Sequence, residues 1–276
     1  MSPVESDEAD LTRKQRRDQA RAERKAMEEA AAAGAMRRKR LTQLGIVASA
    51  VVVVIIIVLI ATGGGSKSGI PKSKTGKNAI VTQVSSLLAG IPQSGNALGS
   101  PTAPVTLQYF GDLECPICKQ FTLEALPSII PKWVRTGKLR IEYLSLETAT
   151  REPEVFKTQQ VAAYAAGKQD KAWNFIETFY HEQGEEDSGY VTESYIQGIA
   201  SQVPALNLTQ WSSARGDSEL ANEVTTDAQT ANSNGFNGTP SFLIGHTGGA
   251  LSKLTYPSSP GDPAFVNEAV EKLLKS

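Results

Sequence analysis

Cys115 and Cys118 are the only two cysteines of the 276-residue chain, and they lie within Gly111-Asp112-Leu113-Glu114-Cys115-Pro116-Ile117-Cys118-Lys119. That spacing suits thiol chemistry. If Cys115 opens a helix, Cys118 lies one turn on along the same face, within reach of a disulfide. A helix N-terminus also favours negative charge, so the Cys115 thiolate is expected to be stabilised and its pKa to fall below the free-thiol value of about 8.5. Two other uses compete: half of a zinc site, or an inert surface crosslink. A structural zinc takes four ligands, and the chain offers only His181 and His246 besides the cysteines, neither at finger-like spacing. A single bridge over so short a loop cannot staple a fold, and the chain is long enough to bury its own core. Redox chemistry is therefore the favoured reading.

The flanking segments supply the frame for that pair. Val105 to Phe110 is a short apolar run closed by Gly111-Asp112, as expected of a buried strand. Phe121, Leu123, Leu126 and Ile129/Ile130 recur at near-helical spacing, with Pro127 and Pro131 expected to kink or end the helix. Leu139 to Leu146 reads as a second strand after the Thr136-Gly137-Lys138 turn, which completes a βαβ unit with parallel strands. Residues 150–234 read as a helical insertion: Pro153 to Gly167, Lys171 to Glu182, Thr192 to Val203 and Leu208 to Asn234. Beyond it, Gly238-Thr239-Pro240 enters the strand-like Ser241-Phe242-Leu243-Ile244. A hairpin through His246 to Gly249 and a last helix after Asp262-Pro263 make the second half ββα.

The N-terminal third has another character. Residues 1–40 are charged and Ala-rich with no sustained apolar face, which suits a solvated cytoplasmic tail. Residues 41–61 are almost wholly apolar, and about twenty residues at about 1.5 Å each span the roughly 30 Å hydrocarbon core. With so long a segment ahead of it, this stretch is expected to be an uncleaved anchor rather than a signal peptide. Arg37-Arg38-Lys39-Arg40 abuts it on the N-terminal side, so the positive-inside rule puts the N-terminus in the cytoplasm and the cysteine pair outside. Residues 62–99 are expected to be a flexible Gly/Ser/Lys tether with one short helix through Ile80, Val84, Leu87 and Leu88. The folded domain is then 100–276. A net charge of −1 gives no reason to expect nucleic acid.

A βαβ unit with CxxC at its helix start, a helical insertion, and Gly-Thr-Pro entering a ββα unit resembles the α/β thioredoxin fold in its DsbA-like form, here preceded by one transmembrane helix. Ala103-Pro104-Val105-Thr106-Leu107, Gly111-Asp112, Cys115-Pro116-Ile117-Cys118 and Gly238-Thr239-Pro240-Ser241-Phe242 resemble the membrane-anchored DsbA-like oxidoreductases of Gram-positive bacteria, actinobacterial in type. The resemblance implies that Cys115 is the exposed nucleophile and Cys118 the buried resolving cysteine. Pro116 and Ile117 then support the pair from between. It implies a cis bond before Pro240 and a Thr239 backbone that pairs with an extended substrate segment. It further implies no metal and no organic cofactor beyond the Cys115–Cys118 disulfide itself. The implied partners are unfolded exported proteins with cysteine thiols, and a quinone-linked membrane reoxidant of the DsbB or VKOR kind. Ile117 departs from the pattern: the most oxidising members of the broader family carry His there.

The remaining conspicuous residues have plainer expectations. His181 and His246 read as surface residues, and Trp133, Trp173 and Trp211 as core anchors. Asp112 is expected to serve the strand-to-helix turn, with a proton relay to Cys118 as the sharper alternative, and Glu114 to be a solvated loop acid. Rival functions on the same sequence are an extracytoplasmic reductase or isomerase, and a tethered chaperone or binding module whose disulfide is incidental.

Overall fold

Alternation along the central strands decides the architecture. A computed structural model describes residues 77–276 of the chain. In strand β3 (Val105–Gly111), Val105, Leu107 and Tyr109 enter the main core, whereas Phe110 points to the opposite face. In β4 (Leu139–Ser145), Leu139, Ile141 and Tyr143 do the same, with Leu144 opposite. Successive side chains of a strand face opposite sides, so both faces of this sheet are apolar and both must be covered. β3 and β4 pair in parallel, with Leu107 opposite Ile141. On its other edge β3 pairs antiparallel with β5 (Ser241–His246), which pairs with β6 (Ser252–Leu254). β1 (Gln93–Ser94) and β2 (Ala97–Leu98) extend the far side, giving the order β1-β2-β4-β3-β5-β6.

The helices cover those faces. α1 (Lys77–Leu88) buries Ile80, Val84 and Leu88 in the main core. α2 follows β3 as one continuous run built from Pro116–Gln120, Phe121–Ala125, Leu126–Ile129 and Ile130–Val134. Pro127 and Pro131, expected to kink or end the helix, do not end it, for a definite reason. Each proline lacks an N–H, and the run absorbs the loss by widening to π-type turns, in which the N–H of Leu126 reaches Phe121 O and that of Arg135 reaches Ile130 O. The insertion consists of α3 (Pro153–Gly167), α4 (Ala172–Glu182), α5 (Glu193–Ala200), α6 (Leu208–Ala214) and α7 (Ser218–Ser233). The single helix expected over Leu208 to Asn234 is thus two, parted at Gly216, with the Asp217 carboxylate capping the second on the N–H of Glu219. α8 (Ala264–Leu273) closes the chain, burying Phe265, Val266 and Val270.

One boundary is corrected. Residues 77–98, assigned from sequence to the tether, belong to the folded domain: α1 enters the core and β2 pairs with β4, Leu98 against Ile141. Two-residue strands leave no periodic signal, and only the assembled sheet gives them partners. The charged tail over 1–40, the apolar span over 41–61 and the tether over 62–76 lie outside the described residues. Among the described residues no helix is long and apolar enough to cross a membrane.

Asp227 of α7 anchors the insertion to the sheet. Its buried carboxylate accepts from the N–H and hydroxyl of Ser145, each at 2.9 Å, and from the hydroxyl of Tyr164. Asp227→Ala leaves three buried donors without an acceptor. The expected loss is about 2–4 kcal/mol of unfolding free energy, read as a lower urea midpoint at unchanged slope.

Candidate active site

The last position of β3, Gly111, takes glycine for a steric reason: a Cβ there would come within 2.7 Å of Cε2 of Tyr143 and 3.1 Å of Cζ of Tyr109. The chain then turns at Asp112, whose carbonyl accepts the N–H of Cys115 at 3.0 Å. Cys115 is extended (φ −71°, ψ 119°) and caps α2, its sulfur accepting the N–H of Cys118 at 3.4 Å. Pro116 takes the first helical position, where its missing N–H is not needed. Opposite, the Thr239–Pro240 bond is cis, and the Thr239 carbonyl accepts from the Cys115 thiol at 3.5 Å across 124 residues of sequence. The fold therefore brings Cys115, Cys118 and Thr239 together, with Pro240 buried behind Thr239. Pro116 and Ile117 stay on the surface, Ile117 at 43% exposure.

The two thiols, both free, have unequal environments. Cys115 keeps 5% of its surface and Cys118 none, so only Cys115 presents sulfur to an incoming group. The hydrogen bond from the Cys118 thiol, then contacts with Thr239 and with the N–H groups of Cys118 and Ile117, outweigh burial and lower the Cys115 pKa to about 7. Burial, and then the neighbouring Cys115, push Cys118 well above the ordinary thiol range. Ile117 acts on the sulfur through its backbone N–H alone. At neutral pH the arrangement holds one thiolate-forming, reachable sulfur over one protonated, sealed sulfur.

A family model described as thioredoxin matches residues 93–252, more than half of the chain. The chain belongs to the thioredoxin family. It is similar to the probable disulfide bond formation protein D of Bacillus anthracis, 24% identical over 149 residues that cover 54% of this chain and 68% of that one. It is also similar to disulfide bond formation protein D of Bacillus subtilis, 23% identical over 181 residues covering 63% and 75%. Among solved structures, the oxidised BdbD crystal structure from Bacillus subtilis superposes with a TM-score of 0.56 at 20% identity, over 67% of this chain and 97% of that one. Wolbachia pipientis alpha-DsbA1 gives 0.52 at 18% identity, over 68% and 92%. Within the family, the chain is a protein disulfide oxidoreductase, and its fold is DsbA-like.

In this thioredoxin-family site several groups went unread in the sequence. Gln183, just past α4, donates from Nε2 to the carbonyls of Leu113 at 2.7 Å and Cys115 at 3.1 Å, and its own carbonyl accepts from Lys119 Nζ at 3.3 Å. The Tyr109 hydroxyl lies 3.4 Å from the Cys118 carbonyl and 3.2 Å from the hydroxyl of Tyr180, which donates to the Asp112 carbonyl at 3.1 Å. Nothing in a glutamine at a helix end or a tyrosine in an apolar strand announces such roles. Glu114, expected in solvent, is 6% exposed, and burial raises its pKa. Asp112 does serve the turn, accepting the N–H of Glu114 at 3.0 Å, but its carboxylate also reaches the loop after β4.

The residues expected to be structural are so placed. Trp133, Trp173 and Trp211 are buried, with indole N–H groups donating to Asn267 Oδ1, the Asn96 carbonyl and the Ala162 carbonyl. His246 is exposed and bonded to Ser276 Oγ at 3.1 Å. His181 is half-buried rather than on the surface, and burial, then Lys119, lower its pKa. Among the described residues no group of three or more His, Cys, Asp or Glu side chains could hold a metal ion.

Proposed function

We propose that the chain is a membrane-tethered thiol-disulfide oxidase that introduces disulfides into exported proteins through Cys115 and Cys118. The asymmetry of the pair carries this reading: one sulfur has surface and a pKa near 7, and the other has neither. Starting from the Cys115–Cys118 disulfide, a substrate thiolate attacks Cys115, and Cys118 leaves as a thiolate and takes up a proton. A second substrate thiolate then attacks the substrate sulfur of the mixed disulfide, and Cys115 departs. The substrate has lost two electrons and two protons and the enzyme holds two thiols. A low pKa makes Cys115 a good leaving group, which favours this direction.

Thr239 supports the same reading. Its backbone borders the reacting sulfur at the entrance to β5, where an extended substrate segment can pair with it and align its cysteine. Each turnover leaves the enzyme reduced, so a membrane electron acceptor of the quinone-linked DsbB or VKOR kind is part of the proposal. The apolar span over 41–61, with the basic block before it, would hold the domain outside the cell membrane and close to that acceptor. The names of the two Bacillus relatives, as disulfide bond formation proteins, agree with the direction.

One observation favours a second reading, a reductase or isomerase on the same site. A Cys115 pKa of about 7 stands with thioredoxin, at ≈ 7, rather than with DsbA, at ≈ 3.5. The equilibrium reduction potential, titrated against glutathione with Cys115 alkylation as readout, separates the two. A value between about −230 and −120 mV is expected of a disulfide donor. A value near or below about −270 mV would make the protein a reductase.

A further inference from the structure

We infer that Asp112 is a positioning residue that holds the Thr239 carbonyl against Cys115 through the loop after β4. This rests on the proposed exchange at Cys115. The Asp112 side chain is fully buried, yet its carboxylate accepts five hydrogen bonds. Oδ1 takes the N–H of Glu114 at 3.0 Å and the hydroxyl of Thr150 at 2.7 Å. Oδ2 takes three consecutive backbone N–H groups, those of Thr148, Ala149 and Thr150, at 3.0, 2.9 and 2.9 Å. Residues 148–150 are thereby wrapped around the carboxylate as a peptide nest wraps an anion.

Thr148, fixed at its N–H, bonds through Oγ1 to Oγ1 of Thr239 at 2.5 Å, and the Thr239 carbonyl receives the Cys115 thiol at 3.5 Å. The circuit closes where the Cys115 N–H returns to the Asp112 carbonyl at 3.0 Å. Two segments 124 residues apart are thus referenced to one carboxylate. The separation of the reacting sulfur from the substrate-pairing carbonyl is the quantity the circuit sets. The same Thr148 bond holds the Thr239 hydroxyl, and this bears on reactivity directly, because the Thr239 side chain is among the groups that lower the Cys115 pKa.

The same count argues against a proton relay. A carboxylate has about four lone-pair sites, and five donors leave none to receive a proton from Cys118. A purely local turn role would need only the Glu114 contact, whereas four of the five donors belong to the loop after β4.

The test uses the full-length protein. The pH midpoint of Cys115 alkylation by iodoacetamide and the rate of oxidation of a peptide dithiol are compared for wild type, Thr148→Val, Thr148→Ser and Asp112→Asn. Thr148→Val removes one solvent-accessible hydrogen bond far from the sulfur in sequence and leaves the fold intact. The expected results are a midpoint raised by about 0.3–1 pH unit and a dithiol rate about two- to tenfold lower. Thr148→Ser, which keeps the hydroxyl, restores both. Asp112→Asn, which sets an amide donor against three N–H donors, shifts both further if it folds. A wild-type midpoint and rate in Thr148→Val would overturn the inference. So would a normal midpoint in a folded Asp112→Asn. If wild type oxidises no dithiol, the functional proposal fails by itself, and the alkylation midpoints still decide the positioning role.

Discussion

Cys115→Ser and Cys118→Ala each lower dithiol oxidation by the protein to the rate of the buffer control, because neither can form the Cys115–Cys118 disulfide that takes up the electrons. In Cys118→Ala, by contrast with Cys115→Ser, the free Cys115 thiolate still attacks a disulfide-bonded substrate, releases one substrate thiolate and holds the substrate as a mixed disulfide. The asymmetry follows from burial. Cys118 has no exposed surface and a pKa pushed well above the ordinary thiol range, so it cannot replace Cys115 as the attacked or attacking sulfur. Cys115 at a pKa near 7 is about half thiolate at neutral pH and leaves readily from a mixed disulfide. Without Cys118 no internal thiol resolves that intermediate in the reverse direction, and it accumulates as a species visible on a non-reducing gel and released by dithiothreitol. Retained oxidation in Cys115→Ser would sink the exchange mechanism. A double serine variant that still supports the protein's role in cells would favour the chaperone reading, in which the thiols are incidental.

Glu177→Gln flattens the dependence of stability on pH and stabilises the protein at pH 8. Glu177 lies in α4 at 1% exposure, and neither of its carboxylate oxygens has a hydrogen-bond partner among the described residues. Desolvation alone raises its pKa to about 8. The sign is opposite to that of a salt-bridged acid. Between about pH 4.5, where the unfolded chain loses this proton, and pH 8, where the folded chain loses it, only the folded state carries the proton. Unfolding then releases it, so stability falls as pH rises through that window and levels off above it. At about 1.4 kcal/mol per unit the fall attributable to Glu177 is roughly 3–5 kcal/mol. Urea unfolding at pH 5 and pH 8 measures it. Asp227 and Glu114 are also raised by burial and contribute the same sign, so the deciding quantity is the wild-type slope minus the variant slope. Equal slopes would mean that Glu177 is ionised and solvated in the folded protein.

The sequence by itself determined the parts governed by local rules. A short apolar run closed by Gly-Asp identifies β3, a strand-like run after the Thr136-Gly137-Lys138 turn identifies β4, and a CxxC after Gly-Asp marks the start of α2. Gly-Thr-Pro ahead of an apolar run marks the entry to β5, and helical spacing marks α1 and α8. Each of these signals lies within one stretch of chain, where backbone geometry and side-chain periodicity are linked directly. Only the tertiary structure decided the rest. Gln93–Ser94 and Ala97–Leu98 become strands because β4 offers an edge to pair with. Two prolines sit inside a continuous helix because burial of Phe121, Ile129 and Ile130 outweighs the bonds lost and π-type turns accommodate them. Glu114 and Glu177 are drawn inside by their neighbours against their own solvation preference. Asp112 shows the same division in one side chain. Its place in a turn is local, but four of its five donors come from residues 148–150, which reach it only when β4 lies parallel beside β3. A buried carboxylate must find its partners wherever the assembled sheet brings them, and no local pattern encodes that position.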